Sequence, residues 1–291
     1  MKTSHSAALI LIVLLVFLFI ISPPVFVFAS DNPLNNIDKW FILLQFDPAQ
    51  DKITPEKIAQ FGLAILDPDS HPPLEIFPSQ AILIAYISLG EAAPYRSYWP
   101  SIQNSKCIAG RNPNWGSYYV DVRDPLWQKI ILEELVPKIE SLGFKGLMLD
   151  TLDTAAMLEE SSPEKFKGQK QAMEQLVRKI HKKFPKMLLI SNNGFAILER
   201  IAPCLSGLLV EDIYSMIDFK NQKYKEVPPA EREYKVNVLK KIRQEYNLAV
   251  FAIDYVAPDD RPAIKKISRQ ISELGFKPYI AEKNLDKIYE N

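Results

Sequence analysis

The chain has 291 residues, 47% hydrophobic and 11% aromatic, with 35 basic and 35 acidic residues for a formal net charge of zero. That supports one large α/β domain or two small ones, and no basic block is long enough to grip nucleic acid. Two cysteines, Cys107 and Cys204, and three histidines, His5, His71 and His181, exclude a disulfide framework and leave no metal-ligand spacing, so neither metal nor cofactor is expected.

Residues 1–29 stand apart. Lys2 precedes an unbroken apolar run from Ala7 to Ile21, and Val27 and Ala29 occupy the small-residue positions of a cleavage site before Ser30. A secretory signal that is removed and a membrane anchor that stays both fit this pattern. Either reading makes residues 30–291 an extracytoplasmic domain, secreted or membrane-attached through residues 1–29.

From Trp40 onward, short apolar runs alternate with amphipathic stretches. The runs are WFILLQ (40–45), LAILD (63–67), AILIAYISLGE (81–91), GLMLD (146–150), MLLISNNG (187–194), GLLVEDIY (207–214), AVFAIDYV (249–256) and KPYIAE (277–282). Each reads as a strand buried on both faces of a parallel sheet. Between them, Asp124 and Pro125 open a predicted helix that Gly143 stops, Ser162 and Pro163 open a second, and DDRPAIKKISRQISELGF gives a third. Eight such units in one domain predict a (β/α)8 TIM-like barrel. A doubly wound sheet fits less well, because the turn after the first strand, QFDPAQ, has no glycine.

The strand ends then converge on one mouth, where barrel enzymes carry their sites. They are Asp47, Asp67, Ser88 with Glu91, Asp150 with Asp153, Asn192 with Asn193, Glu211 with Asp212, Asp254 with Tyr255, and Glu282. A carboxylate-rich pocket without histidine suggests glycoside hydrolysis, which needs one carboxyl to protonate the leaving oxygen and another to attack or to activate water. Asp150 and Glu211 form the best pair, since each directly follows an apolar run. Asp150 also fits a helix cap, whereas Glu211 is a poor cap type.

The segment from Ala92 to Arg123 is too long and aromatic for a plain connection. Tyr95, Trp99 and their neighbours could stack on sugar faces or pack a core. Arg96 is a candidate substrate contact; it or Arg123 could instead pair with Glu91 or Asp254. Asn192 and Asn193 could donate to a substrate or make a turn. Cys107 falls at the mouth and Cys204 at the opposite end, so both are expected unpaired.

The motifs YISLGEAAPYRSYW, LGFKGLMLDTLD, SNNG, LLVEDIY and FAIDY, in this order, resemble the barrel domain of family 114 glycoside hydrolases, the endo-α-1,4-polygalactosaminidase-like proteins. The resemblance spans roughly Trp40 to Ile280. It implies the barrel fold, secretion or membrane attachment, and cleavage of α-1,4-linked galactosamine-rich polysaccharide. It also implies that Asp150 and Glu211 are the catalytic carboxylates, with Tyr86, Glu91, Asp153, Asn193, Asp254 and Tyr255 in the pocket. A monomer is expected, with the polysaccharide as its partner. The alternative is a non-catalytic surface carbohydrate-binding or envelope scaffold of the same fold.

Overall fold

A computed structural model describes residues 32–221 and 223–290. The expected signal or anchor lies outside the described residues. The predicted strands form a single parallel sheet in chain order: β1 (Trp40–Leu43), β2 (Leu63–Leu66), β3 (Ile82–Ser88), β4 (Gly146–Asp150), β5 (Leu188–Asn192), β6 (Gly207–Glu211), β7 (Ala249–Tyr255) and β8 (Lys277–Ala281). All seven neighbouring pairs are parallel, with registers such as Ser88 opposite Asp150 and Glu211 opposite Ile253. The sheet curls into a (β/α)8 barrel, and the strands are buried on both faces, which is why they read as unbroken apolar runs.

The seam between β8 and β1 carries no hydrogen-bonded ladder among the described residues. Side chains and flanking backbone close it instead. The Trp40 indole N–H donates to the Lys277 carbonyl (3.2 Å), and the Leu44 N–H donates to the Leu285 carbonyl (2.8 Å). The Trp40 ring lies 5.3 Å from that of Tyr279 and 5.1 Å from that of Phe251, in the core.

The helices follow their caps with two instructive differences. Asp124 accepts the Leu126 N–H (2.8 Å) and Pro125 opens the helix, as expected. The helix then loosens into a π segment, Ile130–Leu135, before resuming as Val136–Ser141. Pro137 accounts for this: it has no N–H to send back one turn, and its ring crowds the carbonyl there. The helix predicted from Ser162 onward is split at Gly168, whose φ is +88°, into Pro163–Phe166 and Gln169–Lys183. The break turns Gln169 inward, fully buried, where it accepts the Val122 N–H and donates to Asp121 (2.6 Å).

The long segment after β3 is folded. It carries a small antiparallel sheet of Glu91–Ala92, Tyr118–Val120 and Ile108–Arg111, with Trp115 at the hairpin tip. Trp127, fully buried, pins the following helix to the end of β3 by donating to the Leu89 carbonyl (2.8 Å). Cys107 and Cys204 are both buried and free.

Candidate active site

The C-terminal ends of β3 to β7 bring five side chains together. Tyr86 on β3 donates its hydroxyl to Asp150 Oδ2 (2.9 Å), and Asn192 on β5 donates to Asp150 Oδ1 (2.8 Å). The same Asn192 nitrogen donates to Glu211 Oε1 on β6 (2.6 Å), and the Tyr255 hydroxyl on β7 donates to Glu211 Oε2. The facing oxygens of Asp150 and Glu211 share one amide nitrogen at 2.8 and 2.6 Å, so they lie at most 5.4 Å apart. The amide orientation follows, because a flipped Asn192 would set its oxygen against two carboxyls.

The backbone is bent to deliver these groups. Directly after Asp150, Asn192 and Glu211 come Thr151, Asn193 and Asp212, with φ of +60°, +48° and +60°. Thr151 is the costly one, since a β-branched residue disfavours this region. Its hydroxyl accepts the Gly90 N–H (2.7 Å) and lies 2.8 Å from the Ser88 hydroxyl, which anchors the turn to β3. Gly90 must lack a side chain there, because a Cβ would sit 2.3 Å from the Thr151 carbonyl oxygen. Asn193 spends its side chain on the Glu211 N–H (3.2 Å), and Asp153 accepts the Gly194 N–H (3.0 Å).

Electrostatics acts on Glu211. Burial, and next the nearby charge of Asp150, push Glu211 above the usual carboxyl range, against the bonds from Tyr255 and Asn192. Burial and their carboxyl partners push Tyr86 and Tyr255 well above the usual phenol value, so both remain hydroxyl donors. Asp212 is pushed up to about 8, first by burial and then by Glu211. The counter-charge is Lys235, which sequence reasoning missed. Its ammonium bonds the carbonyls of Asp212 (3.0 Å) and Glu211 (3.3 Å) and pairs with Glu231. Nothing in its own helix marks it; only the fold of the helix Pro229–Tyr246 places it here.

The Asp212 environment makes a signed prediction. Its folded pKa is raised above the ordinary 3.8, so its contribution to stability is whole below that value and gone once pH passes about 8. The wild-type melting temperature should therefore decline between pH 4 and 8, and the Asp212→Asn variant should decline less. Parallel melting curves across this range would remove Asp212 as the source.

A cavity of about 500 Å³ opens over the pair, lined among others by Tyr86, Glu91, Tyr95, Arg96, Asp150, Asp153, Asn192, Asn193, Glu211, Asp212 and Tyr255. Two expected contacts do not line it. Asp254 is 0% exposed and its carboxyl is filled by the N–H groups of Ile213 (2.7 Å), Tyr214 (2.7 Å) and Ser215 (3.0 Å), so it holds a loop rather than substrate. Burial lifts it to about 6 in spite of those donors. Trp99 is half-buried and packs on Tyr118, its ring 4.7 Å away.

Two further expectations shift in role. Arg96 is committed to Asp67 through two bonds (2.7 and 2.6 Å) and to Asp69 (2.7 Å), and Arg123 to Asp121, so neither pairs with Glu91 or Asp254. Glu91 lines the cavity yet accepts from Asn112 (3.2 Å), Thr154 (3.3 Å) and Ser117, which ties the Trp115 hairpin to the barrel. Asn112 and Ser117 carry no sequence signal beyond lying in an aromatic loop. No group of three or more His, Cys, Asp or Glu among the described residues has metal-holding geometry.

Residues 29–291 match glycoside-hydrolase family GH114. An uncharacterized protein of Deinococcus radiodurans is 27% identical over 89% of this chain and 84% of its own length. A Methanocaldococcus jannaschii protein is 30% identical over 71% of this chain, which spans only 63% of that relative. Among solved structures, the glycoside hydrolase domain of PelA from Pseudomonas aeruginosa superposes with a TM-score of 0.72 at 24% identity, over 85% of this chain and 96% of that one. Ega3 from Aspergillus fumigatus, in complex with galactosamine, superposes with a TM-score of 0.61 at 14% identity, over 86% and 92%. At these identities the two solved structures establish the fold alone.

Proposed function

The chain belongs to glycoside-hydrolase family GH114, and from that premise we propose that it cleaves an α-1,4-linked, galactosamine-rich polysaccharide outside the cytoplasm, with Asp150 as nucleophile and Glu211 as acid and base. The observation that carries the assignment is the shared Asn192 amide, which limits the facing oxygens to 5.4 Å or less. Retaining enzymes hold their carboxyls about 5–5.5 Å apart, whereas inverting enzymes keep about 6.5–9.5 Å to admit a water.

In the first step an Asp150 oxygen bonds to the anomeric carbon while the glycosidic C–O bond breaks. Glu211 gives its proton to the departing oxygen. Its raised pKa supports that protonated starting state. Tyr255 can turn its hydroxyl to accept from the protonated carboxyl, then donate again once the proton has left. In the second step Glu211 takes a proton from water, the water oxygen bonds to the anomeric carbon, and the bond to Asp150 breaks. Tyr86 and Asn192 hold the two Asp150 oxygens in line throughout.

The carboxylates at the cavity support a substrate bearing free amines, because ammonium groups gain from negative walls. The galactosamine complex of Ega3 points to the same sugar class. The test incubates the full chain with partly deacetylated α-1,4-galactosaminan and reads released oligomers by mass spectrometry, beside a folded Glu211→Gln variant. Oligomers from wild type, reduced about 10²–10⁴-fold in the variant, are expected. Polymer that is retained but never cut by well-folded wild type would instead favour the binding-scaffold reading.

A further inference from the structure

Three loops meet at the edge of the same cavity and build a cluster that the catalytic reading does not use. Trp115, 54% exposed, stands at the tip of the hairpin after β3. Phe219, from the loop after β6, meets it edge-on with ring centroids 5.3 Å apart and planes at 82°. The Lys283 ammonium, just beyond β8, lies 4.9 Å from the Phe219 centroid and 5.4 Å from that of Trp115. All three line the cavity that holds Asp150 and Glu211.

Charge sets this cluster apart. Of the lysines and arginines lining the cavity, Arg96 is neutralised by Asp67 and Asp69, and Lys138 by Asp69. Lys283 forms no ion pair among the described residues; its stabilisation comes from the aromatic faces. The cavity is thus negative around the catalytic pair and positive at the Trp115 edge. Its hairpin is fixed, because Glu91 holds Asn112 and Ser117 on either side of Trp115.

A ring stacked on Trp115 lies within a few ångströms of the Lys283 charge. A protonated amine placed there is repelled, by about fivefold or more in binding for like charges roughly 4 Å apart even at the dielectric of water. An uncharged amide is not, and its methyl group gains apolar contact with the rings. We propose that Trp115, Phe219 and Lys283 form a sugar-stacking platform that selects an N-acetylated unit, while the carboxylate end of the cavity takes a free-amine unit. This rests on the hydrolase reading above. Its consequence is that Lys283 reads the acetylation pattern of the polymer.

The test uses the full chain, wild type and the Lys283→Met, Lys283→Glu and Trp115→Ala variants, with fully deacetylated and partly N-acetylated galactosamine oligomers. The readout is the ratio of kcat/KM for the acetylated over the deacetylated substrate. Lys283→Met keeps the aliphatic stem over the rings and removes only the charge. The ratio should fall several-fold in Lys283→Met, about tenfold or more in Lys283→Glu, and substantially in Trp115→Ala through a raised KM for the acetylated oligomer. Cleavage by all four proteins with an unmoved ratio would overturn the platform and leave the hydrolase standing. No cleavage of either oligomer by wild type would overturn the hydrolase and the platform with it.

Discussion

Replacing Asp150 with glycine should lower glycoside cleavage by about 10³–10⁵-fold, and sodium azide should restore turnover with a glycosyl azide of the opposite anomeric configuration. On the roles proposed above, the first part follows from losing the atom that bonds to the anomeric carbon. The second follows from geometry. Removing the Asp150 carboxyl empties the space between Tyr86 and Asn192, where its oxygens now sit. An azide entering that space forms the new C–N bond while the glycosidic C–O bond breaks, and Glu211 still protonates the departing oxygen. Glu211→Gln behaves differently: its loss shrinks with an aryl leaving group that needs no proton. A glycosyl azide of inverted configuration from Glu211→Gln, with none from Asp150→Gly, would reverse the two roles; one of retained configuration from Glu211→Gln fits an acid and base.

Asp254→Ala costs stability on a different scale. Three backbone N–H groups in a buried site lose their acceptor at once. Each orphaned donor costs about 1–3 kcal/mol, so roughly 3–9 kcal/mol is expected for the three. That is a large share of the ~5–15 kcal/mol that holds a domain folded. Urea unfolding measures it, and Asp254→Asn should lose less, because an amide oxygen still accepts. A loss under about 1 kcal/mol in the alanine variant would mean that water or a shifted loop satisfies those donors.

The same residue marks what the sequence could and could not reveal. Barrel strands are legible because burial on both faces leaves runs such as GLLV and AVFAI, and Asp150 and Glu211 stand out where those runs stop. Asp254 stops a run too, and was expected in the pocket with Tyr255. Successive side chains on a strand point to opposite faces, so the two cannot both face the mouth. Tyr255 reaches Glu211, which turns Asp254 toward the loop at 213–215. Strand period contained that answer. Trp99 and Trp115 are another matter: which of them meets the cavity depends on how a small sheet folds over the barrel, and neither flank encodes it. Lys235 and Lys283 are likewise placed by packing between elements far apart in sequence.

The unladdered seam between β8 and β1 should divide the barrel by exchange rate. Amides of the central strands are held on both sides, whereas those along the seam have a neighbour on one side only. Local opening of the barrel should begin there, and deuterium should enter β1 and β8 before β4 to β6. The carboxyls proposed as catalytic, Asp150 and Glu211, end β4 and β6, where exchange is expected to be slow. Lys283 follows β8, at the border where exchange is expected to be fast. On the proposed roles, bond breaking falls to the stretch of chain expected to breathe least, and reading of the polymer to a stretch that can yield to an irregular chain.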